Sequence, residues 1–132
     1  MERNKLLRPI VFLMVFLFLT DALAQKFYWY YSIWWFDMLM HFLGGLWLGL
    51  VFIYFFLPKN ITISLILKIL AFVFLAGIGW EAFEFYFINY VAQNSFNILD
   101  TISDVLFDLI GGISAVLYFS KRIMPPEPNK VE

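Results

Sequence analysis

The chain has 132 residues, 63% of them hydrophobic, 22% aromatic and only 14% charged. A soluble domain is nearer half apolar and a quarter charged, so this composition describes one membrane-embedded domain. A net charge of −1 argues against nucleic acid as a partner and against a polybasic lipid-binding patch, and the lack of cysteine excludes disulfides and thiolate metal sites.

Four apolar runs predict an all-α protein with four transmembrane helices in one domain, residues 1–120. The first covers about 6–24, and Pro9 suits its first turn. Its basic start and the triplet Ala22-Leu23-Ala24 also resemble a secretory signal peptide. An uncut helix is the preferred reading. Cleavage would leave three spans and an external N-terminus without moving the polar residues discussed below. The aromatic stretch Phe27–Phe36 follows, and reads either as an interfacial belt or as an apolar lid.

The second span covers about 36–57 and stops at Pro58. The third covers about 63–90. Asn89, Gln93, Asn94 and Asn97 then offer neutral hydrogen-bonding groups before the fourth span, about 101–120. The proline-rich end, 121–132, is expected to be a disordered cytoplasmic tail. No internal repeat is visible.

Basic residues set the expected orientation. Arg3, Lys5, Arg8, Lys59, Lys121, Arg122 and Lys130 all fall on one side, and Lys68 can snorkel to it. The other side carries only Lys26. Both termini are therefore expected in the cytoplasm, in a multi-pass protein of the inner (plasma) membrane. The sequon Asn60-Ile61-Thr62 falls on the cytoplasmic side and is discounted.

Against this background the ionisable residues inside the spans stand out. Asp37, His41, Glu81, Glu84, Asp100, Asp104 and Asp108 lie in or beside apolar segments. Each such group near the bilayer centre costs at least about 2.5–3.5 kcal/mol. At about 1.5 Å per residue, Asp37 and His41 fall at the outer end of span two and Glu81 and Glu84 toward that of span three. Asp100 lies at the interface, with Asp104 about 6 Å and Asp108 about 12 Å deeper. Within each helix the spacing of three or four puts the set on one face. Gly44, Gly45, Gly49, Gly77, Gly79, Gly111 and Gly112 would let the backbones approach.

No lysine or arginine lies at that depth, so charge must be balanced by protons or by metal. Mutually repelling carboxylates can share protons. Carboxylates with one imidazole instead make a ligand set for Zn, Mn or Fe, and an all-oxygen subset would suit Mg or Ca. A divalent metal ion is the favoured cofactor, with His41, Glu81, Glu84, Asp104 and Asp108 as candidate ligands and Asp37 and Asp100 peripheral. Purely structural hydrogen bonding between helices is the third reading. Asp100-Thr101 also looks like a helix cap, Asp21 like an interfacial residue, and Thr101 and Ser103 can hydrogen-bond to the ligands. Phosphate loops, dinucleotide fingerprints and a Ser-His-Asp order are absent.

The elements Asp37-x-x-x-His41-Phe42-x-x-Gly45, Glu81-x-x-Glu84 and Asp100-Thr101-x-x-Asp104-x-x-x-Asp108 resemble the YjdF-type bacterial inner-membrane proteins. More loosely they are similar to VanZ-like proteins, which share an Asp-x-x-x-His motif opening a membrane helix. The resemblance covers about residues 34–120. The YjdF type usually has a Gly-Thr-Gln-Gly-Asp stretch before its Asp-Thr element, where this chain has Gln93-Asn94-Ser95-Phe96-Asn97. The VanZ likeness implies the cell envelope, and neither likeness implies a known reaction.

The sequence thus points to a membrane protein with an acidic, metal-binding site in the outer half of the bilayer. Its expected partners are membrane lipid and a lipid or lipid-linked envelope molecule as substrate, with no nucleic acid. The alternatives are a proton- or cation-coupled transporter or channel, and a non-catalytic assembly subunit. A transporter needs a polar path through the inner halves of the spans, which a homo-oligomer would have to supply.

Overall fold

A computed structural model describes residues 2–91, 93 and 95–124. Most of the expected tail, and Asn94, lie outside the described residues. Helix α1 is Glu2–Lys26, α2 the short Trp29–Ser32, α3 Phe36–Phe56, α4 Ile63–Tyr86 and α5 Ile98–Tyr118. A π-helical turn, Phe87–Val91, extends α4, and another, Phe119–Ile123, extends α5 past the expected end of the domain. The described residues contain no strand, and the four long helices are each long and apolar enough to cross a membrane. This is a multi-pass all-α membrane protein.

Two helix starts differ from the sequence expectation. α1 begins at Glu2, whose Oε1 takes a hydrogen bond from Lys5 Nζ at 3.3 Å, so Pro9 falls inside the helix rather than in its first turn. The proline removes one intrahelical bond, to the Lys5 carbonyl, which lies ahead of the apolar run. α5 is capped by Asn97, whose side chain accepts from the Leu99 N–H at 3.1 Å. Asp100 is consequently a first-turn residue and not the cap. α4 is capped by Thr62, accepting from the Leu65 N–H at 3.2 Å. α3 ends as expected before Pro58, with Leu57 in the left-handed region at φ 38°.

Each of three helices turns one row of residues inward, spaced by three or four. On α4 the row is Ile69, Val73, Gly77 and Glu81. On α3, read in the same direction through the bundle, it is Ile53, Gly49, Gly45 and His41. On α5 it is Phe119, Ala115, the pair Gly111 and Gly112, Asp108 and Asp104. The bundle is therefore layered: a greasy core at the end that carries Glu2 and Met124, a belt of small residues, then a layer of ionisable groups. Leu6 and Ile10 of α1 join the greasy layer, and Trp47 Nε1 on α3 donates to the Ile10 carbonyl at 3.1 Å. The opposite faces of the helices present large exposed apolar side chains such as Phe18, Leu75 and Leu106, as contact with lipid requires.

The small-residue belt is a true backbone contact. A Cβ at Gly45 would overlap the Asp108 carbonyl, and one at Gly111 would overlap the Phe42 carbonyl. At Gly49 it would stand 2.6 Å from the Ala115 Cβ, and at Gly77 2.6 Å from Asp108 Oδ2. Gly44 and Gly79, which the sequence also suggested as approach points, have nothing within 4 Å, because they face away from the neighbouring helices. Gly111→Ala and Gly45→Ala are therefore expected to destabilise the bundle by about 1–3 kcal/mol or more through overpacking. Gly44→Ala and Gly79→Ala should be neutral or slightly stabilising. Thermal denaturation of the four detergent-purified variants checks this contrast.

Candidate metal centre

His41 is the hub of the ionisable layer and is 7% exposed. Its two ring nitrogens face different surroundings. Nδ1 lies 3.3 Å from Asp108 Oδ1 on α5, a hydrogen bond in which the imidazole N–H donates to the carboxylate. In the neutral ring that bond sets the tautomer and leaves the Nε2 lone pair pointing the other way.

Nε2 faces three carboxylates from three helices. Glu81 Oε1 stands 3.7 Å away, Asp37 Oδ1 3.8 Å and Asp104 Oδ2 3.9 Å. These separations are too long for hydrogen bonds. Two ligands of a tetrahedral ion with bonds of about 2.1 Å lie about 3.4 Å apart, so each separation from Nε2 is within about half an ångström of a ligand pair, while among the carboxylates Asp37 groups with Asp104 and Glu81 with Glu84. A neutral Nε2 lone pair facing three anions is repulsive unless a proton or a metal cation stands between them. Glu81 Oε1, Asp104 Oδ1 and Asp108 Oδ2 are buried and lack a hydrogen-bond partner, which is costly in a medium this apolar.

Two sets of potential ligand atoms each fall within 4.8 Å of one another: Asp37, His41 and Asp104, and His41, Glu81 and Glu84. Glu84 is half-buried and lines a small cleft with Glu81, Asn97, Asp100, Thr101 and Asp104. Asp100 is exposed at its rim. All seven residues singled out by sequence therefore gather at one end of the bundle. The ordering within the cluster differs from expectation, however. Asp37, taken as peripheral, stands as close to Nε2 as Glu81 and Asp104 do, because it sits one helical turn before His41 on the same face. Asp108 lies on the far side of the ring, toward Gly77.

Tyr30 and Asp21 join the site from a direction the sequence did not reveal. The left-handed Tyr28, at φ 59°, turns the chain into α2. Tyr30 then packs edge-on against Phe36 and donates to Asp21 Oδ1 at 2.7 Å, while Gln25 Nε2 donates to Asp21 Oδ2 at 2.8 Å. Part of the aromatic stretch thus covers the end of the bundle that carries the cluster, and Asp21 is a structural acceptor. Nothing in the spacing of Asp21 and Tyr30 signals this bond.

Burial raises the Tyr30 hydroxyl above its ordinary value, helped by the hydrogen bond to Asp21 and by the negative charge of Asp21, Asp37 and Glu84. The folded protein then holds this proton where an unfolded tyrosine, near pH 10, gives it up. The stabilisation is complete below about pH 10 and is lost as pH rises further. In a phenolate absorbance titration through that range, Tyr30→Phe should leave the amplitude unchanged.

The fold and site together define a four-helix membrane protein with a buried His–carboxylate cage at one end, whose donors can hold a metal ion. The chain belongs to the family described as predicted membrane protein (DUF2238), whose model matches residues 1–124. This is consistent with the YjdF-type resemblance and does not bear on the looser VanZ-like one. No curated protein and no solved structure matches the chain.

Proposed function

We propose that this protein binds a divalent transition-metal ion at His41 Nε2, with Asp37, Glu81 and Asp104 as the carboxylate ligands, and uses it on a lipid or lipid-linked molecule of the cell envelope. The observation that carries the reading is the cage of three carboxylate oxygens 3.7–3.9 Å from Nε2, with Nδ1 tied to Asp108. A carboxylate on the far ring nitrogen is the usual support for a metal-bound imidazole, fixing its orientation and raising its basicity. Asp108 is thus assigned as the positioning residue. Glu84 and Asp100, at the cleft, are assigned to the mouth.

Mixed nitrogen and oxygen ligation suits Zn, Mn or Fe. Ions that take more than four ligands would keep a position open toward the cleft, where a substrate oxygen can be polarised. The basic residues of the opposite end support a cytoplasmic location for that end, which would put the cage in the outer half of the inner membrane. There the aromatic cover and the lipid-facing helices suit an apolar, headgroup-bearing substrate. The VanZ-like resemblance supports an envelope role.

Elemental analysis of the purified chain is expected to find metal that His41→Ala reduces to background. Asp108→Asn should keep the site but weaken its affinity about 10- to 100-fold. Metal at about 100 times its dissociation constant should stabilise the fold by about 2.7 kcal/mol, read as a rise in melting temperature over the chelated protein. Metal at background level, with no thermal shift on adding Zn, Mn or Fe, would remove the proposal.

Orientation has its own test, since the chain lacks cysteine. A single cysteine at Lys26 should react with a membrane-impermeant maleimide in intact spheroplasts, and one at Lys59 only after lysis. The reverse pattern would place the cage on the cytoplasmic side.

A further inference from the structure

We propose that the cleft beside the cage is a second cation site, taking an oxygen-preferring divalent ion such as Mg, Mn or Ca. Glu84 and Asp100 would be its own ligands, and Glu81 and Asp104 would bridge it to the inner ion. The inference rests on the reading of the inner cage given above.

Three observations support it. First, the polar lining of the cleft is Glu81, Glu84, Asn97, Asp100, Thr101 and Asp104, which offers carboxylate, amide and hydroxyl oxygens and no imidazole. Hard cations select that donor set. Second, Asp104 lines the cleft and is 2% exposed, yet only its Oδ2 is turned to His41; its Oδ1 is buried with no partner. Glu81, 6% exposed, also lines the cleft, but its unpartnered oxygen is Oε1, the one turned to His41. Asp104 therefore has an unpartnered second oxygen with which to bridge, and Glu81 would bridge through Oε2. Third, one divalent ion offsets two of the six acidic charges of Asp37, Glu81, Glu84, Asp100, Asp104 and Asp108. Among the described residues, the only lysine or arginine paired with an acid is Lys5, with Glu2 at the other end of the bundle. A second ion removes half of the remaining excess.

Bridging carboxylates hold paired ions about 3.5–4 Å apart, a spacing that clamps the oxygens of an anionic group between them. A site without lysine or arginine can hold a phosphate ester in this way. The cation pair thus narrows the proposed substrate to lipids with an anionic, oxygen-rich headgroup.

Manganese reads out both sites at once. The full-length chain, purified in detergent and stripped with chelator, is titrated with Mn(II) while bound metal and the electron paramagnetic resonance spectrum are followed. The expected result is about two ions per chain, with a spectrum broadened by magnetic coupling between close ions. Glu84→Gln combined with Asp100→Asn should fall to about one ion with the resolved hyperfine pattern of an isolated centre. Both substitutions are near-isosteric and lie at the half-buried and exposed margin of the cluster, and helical circular dichroism checks the fold. Saturation of the unaltered chain at one uncoupled ion would overturn the second site and leave the inner one standing. Two coupled ions persisting in the double variant would also overturn it. No bound manganese in either protein would overturn both.

Discussion

The site depends on the backbone contact between α3 and α5. Gly45 lies against the Asp108 carbonyl and Gly111 against that of Phe42, so these helices approach more closely than any side chain would permit. That approach puts the imidazole of His41 within 3.3 Å of Asp108 and 3.9 Å of Asp104, both on α5. With a larger residue at either glycine, the helices separate and the ring loses its orientation. In a membrane, where apolar burial between helices gives little net drive, such packing is a main source of association. The same rows of residues that hold the bundle together therefore also build the cage.

Because packing and chemistry share these rows, the polar layer is supported from below. The greasy layer of Ile53, Ile69, Val73 and Phe119 and the tie from Trp47 to the Ile10 carbonyl fix the end that carries Glu2 and Met124. The glycine belt sets the distance, and the ionisable groups inherit it. At the other end Phe36, buried between Tyr30 and Trp29, anchors the short α2 over the start of α3. The cluster is thus held between two packed apolar regions. Its carboxylates keep their spacing because the helices that carry them are packed at both ends.

Much of this was legible in the sequence. Four long apolar runs with polar loops leave little choice of fold, and counting residues along each run brought the acids to a common depth. The details that escaped share a physical reason. Which of two adjacent glycines faces the neighbour depends on helix rotation, so Gly44 and Gly45 look alike until packing separates them. Asp37 and Asp108 exchanged their expected prominence because ring orientation decides which carboxylate meets which nitrogen, and spacing carries no information about that. The sequence signals a later start for α5 because Ile98 and Leu99 follow a polar loop, which hides the Asn97 cap. Asp21 and Tyr30 meet through a turn whose left-handed residue, Tyr28, has no signature in composition.

The acids of α5 form a ladder, Asp100, Asp104 and Asp108, whose members repeat every four residues. Sliding α5 along α3 by four residues, about 6 Å with a small rotation, would bring Asp104 to Nδ1 and Asp100 toward Nε2, and the imidazole would meet equivalent partners. Electrostatics alone therefore cannot tell these alignments apart. The glycines can, since Gly45 and Gly111 each accept a specific carbonyl and a displaced helix would set side chains there instead. The belt acts as a vernier, selecting one alignment from a set that charge leaves degenerate.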